Sequence, residues 1–202
     1  MEFDYTYWNP FLPEEIAQLF SDFSAPWCIA GGWGLDLFMG NISRKHDDID
    51  VVILRKHQAL VFEVFSGFEI FVVDPPGTLR PWSLGEYLSA PLYNIWIREE
   101  TQGPWKVQLM LQDHTEEKWQ FRRDHSFTGP IDELMIRSKS GIPILNPLIQ
   151  LLYKAKDIRT KDQHDFNGLL PFLDPDQKKW LHDRIKRVYR LPHPWLDSLL
   201  VL

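Results

Sequence analysis

The chain has 202 residues, 44% of them hydrophobic, which is enough for one well-packed core and too apolar for a disordered chain. Its 22 basic and 28 acidic residues leave a formal charge of −6, which disfavours a polynucleotide substrate and suits a cationic small molecule. A single cysteine, Cys28, excludes an intrachain disulfide and a cysteine-based zinc site. No apolar run has the length of a membrane span and the start, Met-Glu-Phe-Asp, lacks a signal-peptide pattern, so no membrane partner is expected and the cytoplasm is the expected compartment.

Taken in order, residues 1–12 are aromatic and irregular. Pro13-Glu14-Glu15 then opens a helix predicted to run to residue 23, with Ile16, Leu19, Phe20 and Phe23 on one face. The apolar runs 27–30 and 49–54 predict two strands, and residues 33–39 between them have helical spacing after the turn Gly31-Gly32. Residues 57–66 predict a helix and 68–73 a strand closed by Asp74-Pro75-Pro76-Gly77. Runs 93–98, 106–111 and 118–123 predict antiparallel strands, the first two joined by a turn containing Gly103-Pro104. Residues 141–145 predict a last short strand, Pro147 starts a helix, and two more helices are expected near 162–170 and 175–189.

The pattern predicts an α+β fold: a mixed sheet with flanking helices in residues 1–145, followed by a small helical subdomain, 146–202, packed on it. Seven scattered histidines show no metal-ligand spacing. Of nine tryptophans, Trp8, Trp33, Trp82, Trp96 and Trp105 sit near turns or strand ends and could line a pocket, though packing is the expected role of each one.

The chemistry concentrates in residues 27–53. Gly31 and Gly32 allow a tight turn and a close backbone approach, with amide N–H groups at a helix start available to a phosphate. Asp48 and Asp50 stand two apart at the start of the next strand, so they share a face. Converging carboxylates need a cation, and Mg²⁺ suits them because it takes one or two protein carboxylates and completes its shell with water and substrate phosphates. Phosphate turn and carboxylate pair together predict metal-nucleotide chemistry.

These residues and this order of elements resemble the nucleotidyltransferase superfamily, of the DNA polymerase beta-like fold. The closest likeness is to the aminoglycoside 2''-adenylyltransferase and lincosamide nucleotidyltransferase group. It is carried by Gly31-Gly32-Trp33-Gly34 with Asp36, then by Ser43-Arg44-Lys45-His46-Asp47-Asp48-Ile49-Asp50, and more loosely by Gly141-Ile142-Pro143 and the stretch from Lys154 to Phe166. The resemblance implies Mg²⁺-dependent transfer of a nucleoside monophosphate, AMP from ATP, to a hydroxyl of an antibiotic-like or sugar-like acceptor. By that likeness Asp48 and Asp50 hold the metal and are the catalytic pair, and Gly31 and Gly32 cradle the triphosphate. Trp33, Arg44, His46 and Lys154 border the nucleotide, while Asp36 orients its loop. Lys156 and Asp162 are expected on a solvated helix face.

The sequence departs from the superfamily pattern at the third carboxylate, which is expected on a later strand. On the candidate strand that position reads Gln108, an amide that cannot accept a proton, with Asp113, Glu69 and Asp74 as possible substitutes. The alternative function is therefore a nucleotide-binding or interaction module with weak or no catalysis.

Overall fold

The computed structural model describes residues 3–200. After an irregular aromatic start comes α1 (Pro13–Leu19), whose first turn is capped by the Glu15 carboxylate accepting the Leu12 N–H at 2.6 Å. Then follow β1 (Trp27–Ile29), α2 (Gly31–Met39), β2 (Asp50–Leu54), a 3-10 turn (Arg55–Leu60) running into α3 (Val61–Val64), and β3 (Glu69–Val73). The next elements are β4 (Leu79–Pro81), β5 (Asn94–Arg98), β6 (Trp105–Gln112), β7 (Lys118–Phe121), β8 (Asp124–Pro130), α4 (Ile131–Leu134), β9 (Met135–Arg137) and β10 (Pro143–Leu145). The chain closes with α5 (Pro147–Lys154), α6 (Thr160–Leu169), α7 (Pro175–Val188) and α8 (Leu196–Leu199). Two of the C-terminal helices are capped at their starts: Asn146, just before the predicted start at Pro147, accepts the Leu148 N–H at 3.0 Å, and Asp174 accepts the Gln177 N–H at 2.8 Å.

Eight strands form one mixed sheet in the order β4-β3-β5-β6-β2-β1-β10-β9. Two of its pairings are parallel, β2 with β6 and β1 with β10. Strand β2 is buried from Val51 to Leu54, and alternation divides it between two cores. Val51 and Ile53 join Ile16, Phe20, Val61, Phe65, Ile95 and Leu109 beneath α1 and α3. Val52 and Leu54 join Leu151, Leu152, Phe166, Leu181 and Trp195 from the C-terminal helices. Asp50 shares the alternation of Val52 and Leu54, so it belongs to the face that the C-terminal helices cover.

Three expectations change. The helix expected at 57–66 is a 3-10 turn with one α-helical turn after it, because buried Gln58 ties the segment to residue 88 through the Leu88 N–H at 2.7 Å. The strand expected at 118–123 leaves the main sheet and pairs with β8 in a separate ribbon. Its Trp119 and Phe121 pack on Phe127 and the helical core, a partner that local periodicity does not reveal. Third, β4, β8, α4 and β9 lie outside the predicted elements: three of them span only three or four residues, and β8 alternates around polar and glycine residues with only Phe127 buried.

Candidate active site

The site begins at the end of β1. Gly31 has φ +65°, and its N–H donates to Gln150 Oε1 at 2.7 Å, so a side chain from α5 holds the turn. A Cβ at Gly31 would fall inside the Asp50 carboxylate, and one at Gly32 would collide with the Arg44 guanidinium and the His46 ring. Both positions therefore require glycine for close approach, and Gly31 also for its backbone angle. The Ala30 N–H donates to the Asp50 carbonyl at 2.8 Å and fixes the turn against the first residue of β2.

Asp48 is 38% exposed, and the cation beside it, Lys161 Nζ, lies 3.8 Å away. Asp50 is partly buried. Its carboxyl is pushed up to about 7, chiefly by burial and then by the Asp48 charge, while Lys154, Lys161 and Arg159 oppose the rise. A carboxyl held in this condition is under-compensated by the cations around it. Among the described residues no three His, Cys, Asp or Glu side chains converge as a metal cluster. Asp48 and Asp50 are the carboxylates that could hold a cation here, and an oxygen-only donor pair fits Mg²⁺ better than Zn²⁺.

The basic residues lie behind this pair and are themselves bound. Arg44 Nε donates to Asp165 at 2.8 Å, Lys154 Nζ bridges Asp162 at 2.8 Å and Asp165 at 2.9 Å, and Arg159 Nε meets Asp162 at 2.7 Å. Asp162 and Asp165 are both buried, which corrects the expectation of a solvated position for Asp162. Sequence patterning does not single out this pair as site residues, nor Gln150. A signal is present all the same: two acids at i and i+3 on the helix face that also carries Phe166 and Leu169, both fully buried. Lys156, by contrast, is exposed as expected.

The loop between α2 and β2 is ordered by Asp36. Its carboxylate accepts from the Ser43 N–H at 3.0 Å and the Ser43 hydroxyl at 2.6 Å, and lies 2.6 Å from His46 Nε2. Burial would raise this carboxyl, but the hydrogen bonds with His46 and Ser43 outweigh it and hold it below its usual value. The Trp33 ring lies on the His46 imidazole with centroids 4.4 Å apart, and its buried indole N–H has no partner among the described residues. Trp33, Arg44 and His46 thus sit together beside Gly32, with Lys154 reaching Arg44 through their shared partner Asp165.

Across the parallel pair β2 and β6, Gln108 is in register with Asp50. It occupies the place expected of a third carboxylate, and its amide makes only a long contact, 3.4 Å, to Asn94 Oδ1. Each of the three substitute acids is held by an arginine. Glu69 pairs with Arg98 at 2.7 Å, Asp74 with Arg80 at 2.8 Å, and Asp113, five residues further along, with Arg55 at 2.6 Å.

Residues 14–169 match the profile of the aminoglycoside-2''-adenylyltransferase family. Among solved structures the chain is similar to the lincosamide antibiotic adenylyltransferase LnuA bound to lincomycin, at 20% identity and a TM-score of 0.55, covering 80% of this chain and 98% of that one. It is also similar to ANT(2'')-Ia in complex with adenylyl-2''-tobramycin, at 15% identity and a TM-score of 0.54, covering 88% and 96%. The solution structure of ANT(2'')-Ia gives 16% identity and a TM-score of 0.58, covering 86% and 89%. No match is found among curated proteins. The structural likenesses establish the shared fold, and with a profile match over most of its length the chain belongs to the aminoglycoside-2''-adenylyltransferase family of nucleotidyltransferase enzymes.

Proposed function

We propose that the protein transfers AMP from Mg-ATP to a hydroxyl group of a small molecule, with Asp48 and Asp50 as the metal-holding catalytic pair. The observation that carries this reading is the Asp50 carboxyl, pressed against Gly31 at a glycine turn and pushed up to about 7 by burial and by the nearby Asp48 charge. Mg²⁺ bound there supplies charge neutralisation at the transferring phosphoryl group. The backbone of Gly31 and Gly32 approaches the triphosphate, the start of α2 presents to it the N–H groups after Gly31, whose own goes to Gln150, and the part-exposed Lys161 adds a positive charge near the leaving group. The network of Arg44, Lys154, Asp162 and Asp165 clamps α6 to the loop before β2 and keeps Gly32 and the carboxylates in one geometry.

In the transfer the acceptor oxygen forms a bond to the α-phosphorus as the bond to pyrophosphate breaks. The hydroxyl proton passes to water, because Gln108 can orient a hydroxyl but cannot take its proton. This predicts slow turnover rather than none. The family supports an enzyme over the silent-module alternative. The test is pyrophosphate release from ATP and Mg²⁺ across a panel of hydroxylated acceptors. Asp48→Asn is expected to lower the rate by about a thousandfold, of the order of losing an electrostatic stabiliser of the transition state. Unchanged release in that variant would remove Asp48 from the site.

A further inference from the structure

Asp50 has two unlike sides. Toward β1 it meets Gly31 and the basic residues of α5 and α6, which suit a triphosphate. Toward β6 lies a row in register across the sheet: Gln108 beside Asp50, then Trp96 on β5, then Phe71 on β3. Strands stand about 4.8 Å apart, so the Trp96 backbone is about 10 Å from that of Asp50. Gln108, Trp96 and Asn94 are all partly exposed.

The N-terminal segment extends this surface. The Trp105 N–H donates to the Tyr7 carbonyl at 2.8 Å, and the Asn9 and Phe11 N–H groups donate to Trp105 and Lys106 at 3.0 Å each. Residues 7–11 therefore run along β6 in line with β2, and Trp8 arrives against Trp96 with ring centroids 4.9 Å apart at 65°. Trp105, buried beneath, holds Trp96 edge to face at 5.2 Å. Glu69, the acid on β3, is bonded to Arg98 and Thr101, and Asp4 at the outer end of the cluster is bonded to Thr6. The surface next to the carboxylate pair thus offers two amides and two indoles. Beyond the Asp48 and Asp50 pair, which the transferase reading gives to Mg²⁺, that row offers a polycation no further carboxylate among the described residues.

We infer that this Gln108–Asn94–Trp96–Trp8 surface binds the acceptor, and that the acceptor is an uncharged hydroxylated compound carrying a planar ring. The inference rests on the nucleotidyl-transfer reading and names the substrate class for it. The ring stacks on the Trp96–Trp8 pair, while the Asn94 and Gln108 amides hydrogen-bond its hydroxyls and present one of them to the α-phosphorus beside Asp50.

The test uses the full chain with Mg-ATP and follows AMP transfer to two sets of acceptors: uncharged aryl glycosides and nucleosides, and the polycation tobramycin with related aminoglycosides. Uncharged ring-bearing acceptors are expected to give the higher kcat/KM. Trp96→Ala should raise their KM about tenfold or more at unchanged KM for ATP, while Trp96→Phe, which keeps a ring and guards against a folding artefact, retains most of the affinity. Asn94→Asp should shift preference toward the aminoglycosides. A wild-type preference for aminoglycosides, or an acceptor KM indifferent to Trp96→Ala in a folded protein, overturns the inference and leaves the transferase reading standing. AMP transfer to neither set, with Mg-ATP bound, counts against the transferase reading itself, and the inference falls with it.

Discussion

Replacing Lys154 with Met tests whether the buried ion cluster is structural. The ammonium is 6% exposed and lies 2.8 and 2.9 Å from Asp162 and Asp165, whose side chains are each 2% exposed. Methionine keeps most of the volume but leaves two buried carboxylates with Arg159 and Arg44 as their remaining cations. Breaking a buried pair in this way costs about 3–5 kcal/mol, and the retained arginines place the expected loss near the lower value, about 3 kcal/mol. Unfolding entropy near 60 °C is about 2.1 cal/mol/K per residue, hence about 0.42 kcal/mol/K for 202 residues, so Tm should fall by about 7 °C at pH 7.

The sign with pH follows from the same contacts. Burial would raise both carboxyls, but Arg159 and Lys154 around Asp162, and Arg44 and Lys154 around Asp165, hold them below their usual values. Their contribution is complete above about pH 4, the ordinary carboxylate pKa, and is lost as pH falls through the depressed folded values. The Tm gap between wild type and Lys154→Met should therefore be full at pH 7 and narrow below pH 4. Circular dichroism melts across that range measure it. A gap under about 2 °C at pH 7, or one that persists unchanged in acid, would refute the argument that this cluster anchors α6.

Other perturbations address the reacting side of the site. Gly31→Ala should reduce turnover by about a hundredfold or more, because the new methyl displaces the Asp50 carboxylate. It should cost only about 1–2 kcal/mol of stability for its left-handed backbone, and a fully active variant would separate the glycine turn from the chemistry. Gln108→Asp places a proton acceptor in register with Asp50 and should speed transfer by about a hundredfold at neutral pH if proton removal limits the rate; a slower variant would show that the amide is adapted to its acceptor. Asp50→Asn should raise the Tm of the metal-free protein, since it removes an ionisable group that folding buries against a like charge, and should abolish any stabilisation by Mg²⁺ seen in the wild type by scanning fluorimetry.

Much of the site is legible in the amino-acid sequence. The run from Trp27 to Ile53 carries its own local logic: glycines that permit the turn, helical spacing after it, and two carboxylates two apart, Asp50 opening β2 and Asp48 in the loop just before it. Helix starts are equally readable, because Pro13, Asn146–Pro147 and Asp174–Pro175 act on the backbone within a few residues of themselves. The ribbon of β7 and β8 is not, since a strand's period is indifferent to which sheet it joins.

The sequence by itself therefore determined most of the long elements, the glycine turn, the pair of carboxylates two apart and the family resemblance, all of which depend on residue identity over short range. Tertiary structure alone decided the register of Gln108 against Asp50 on the neighbouring strand, and the capture of Glu69, Asp74 and Asp113 by arginines. It also decided the burial of Asp162 and Asp165 around Lys154, and the placement of Trp8 alongside β6. Periodicity says which face a side chain occupies. Which distant charge neutralises it, and which residue stands opposite on the next strand, are settled only when the strands pair and the helices close over them.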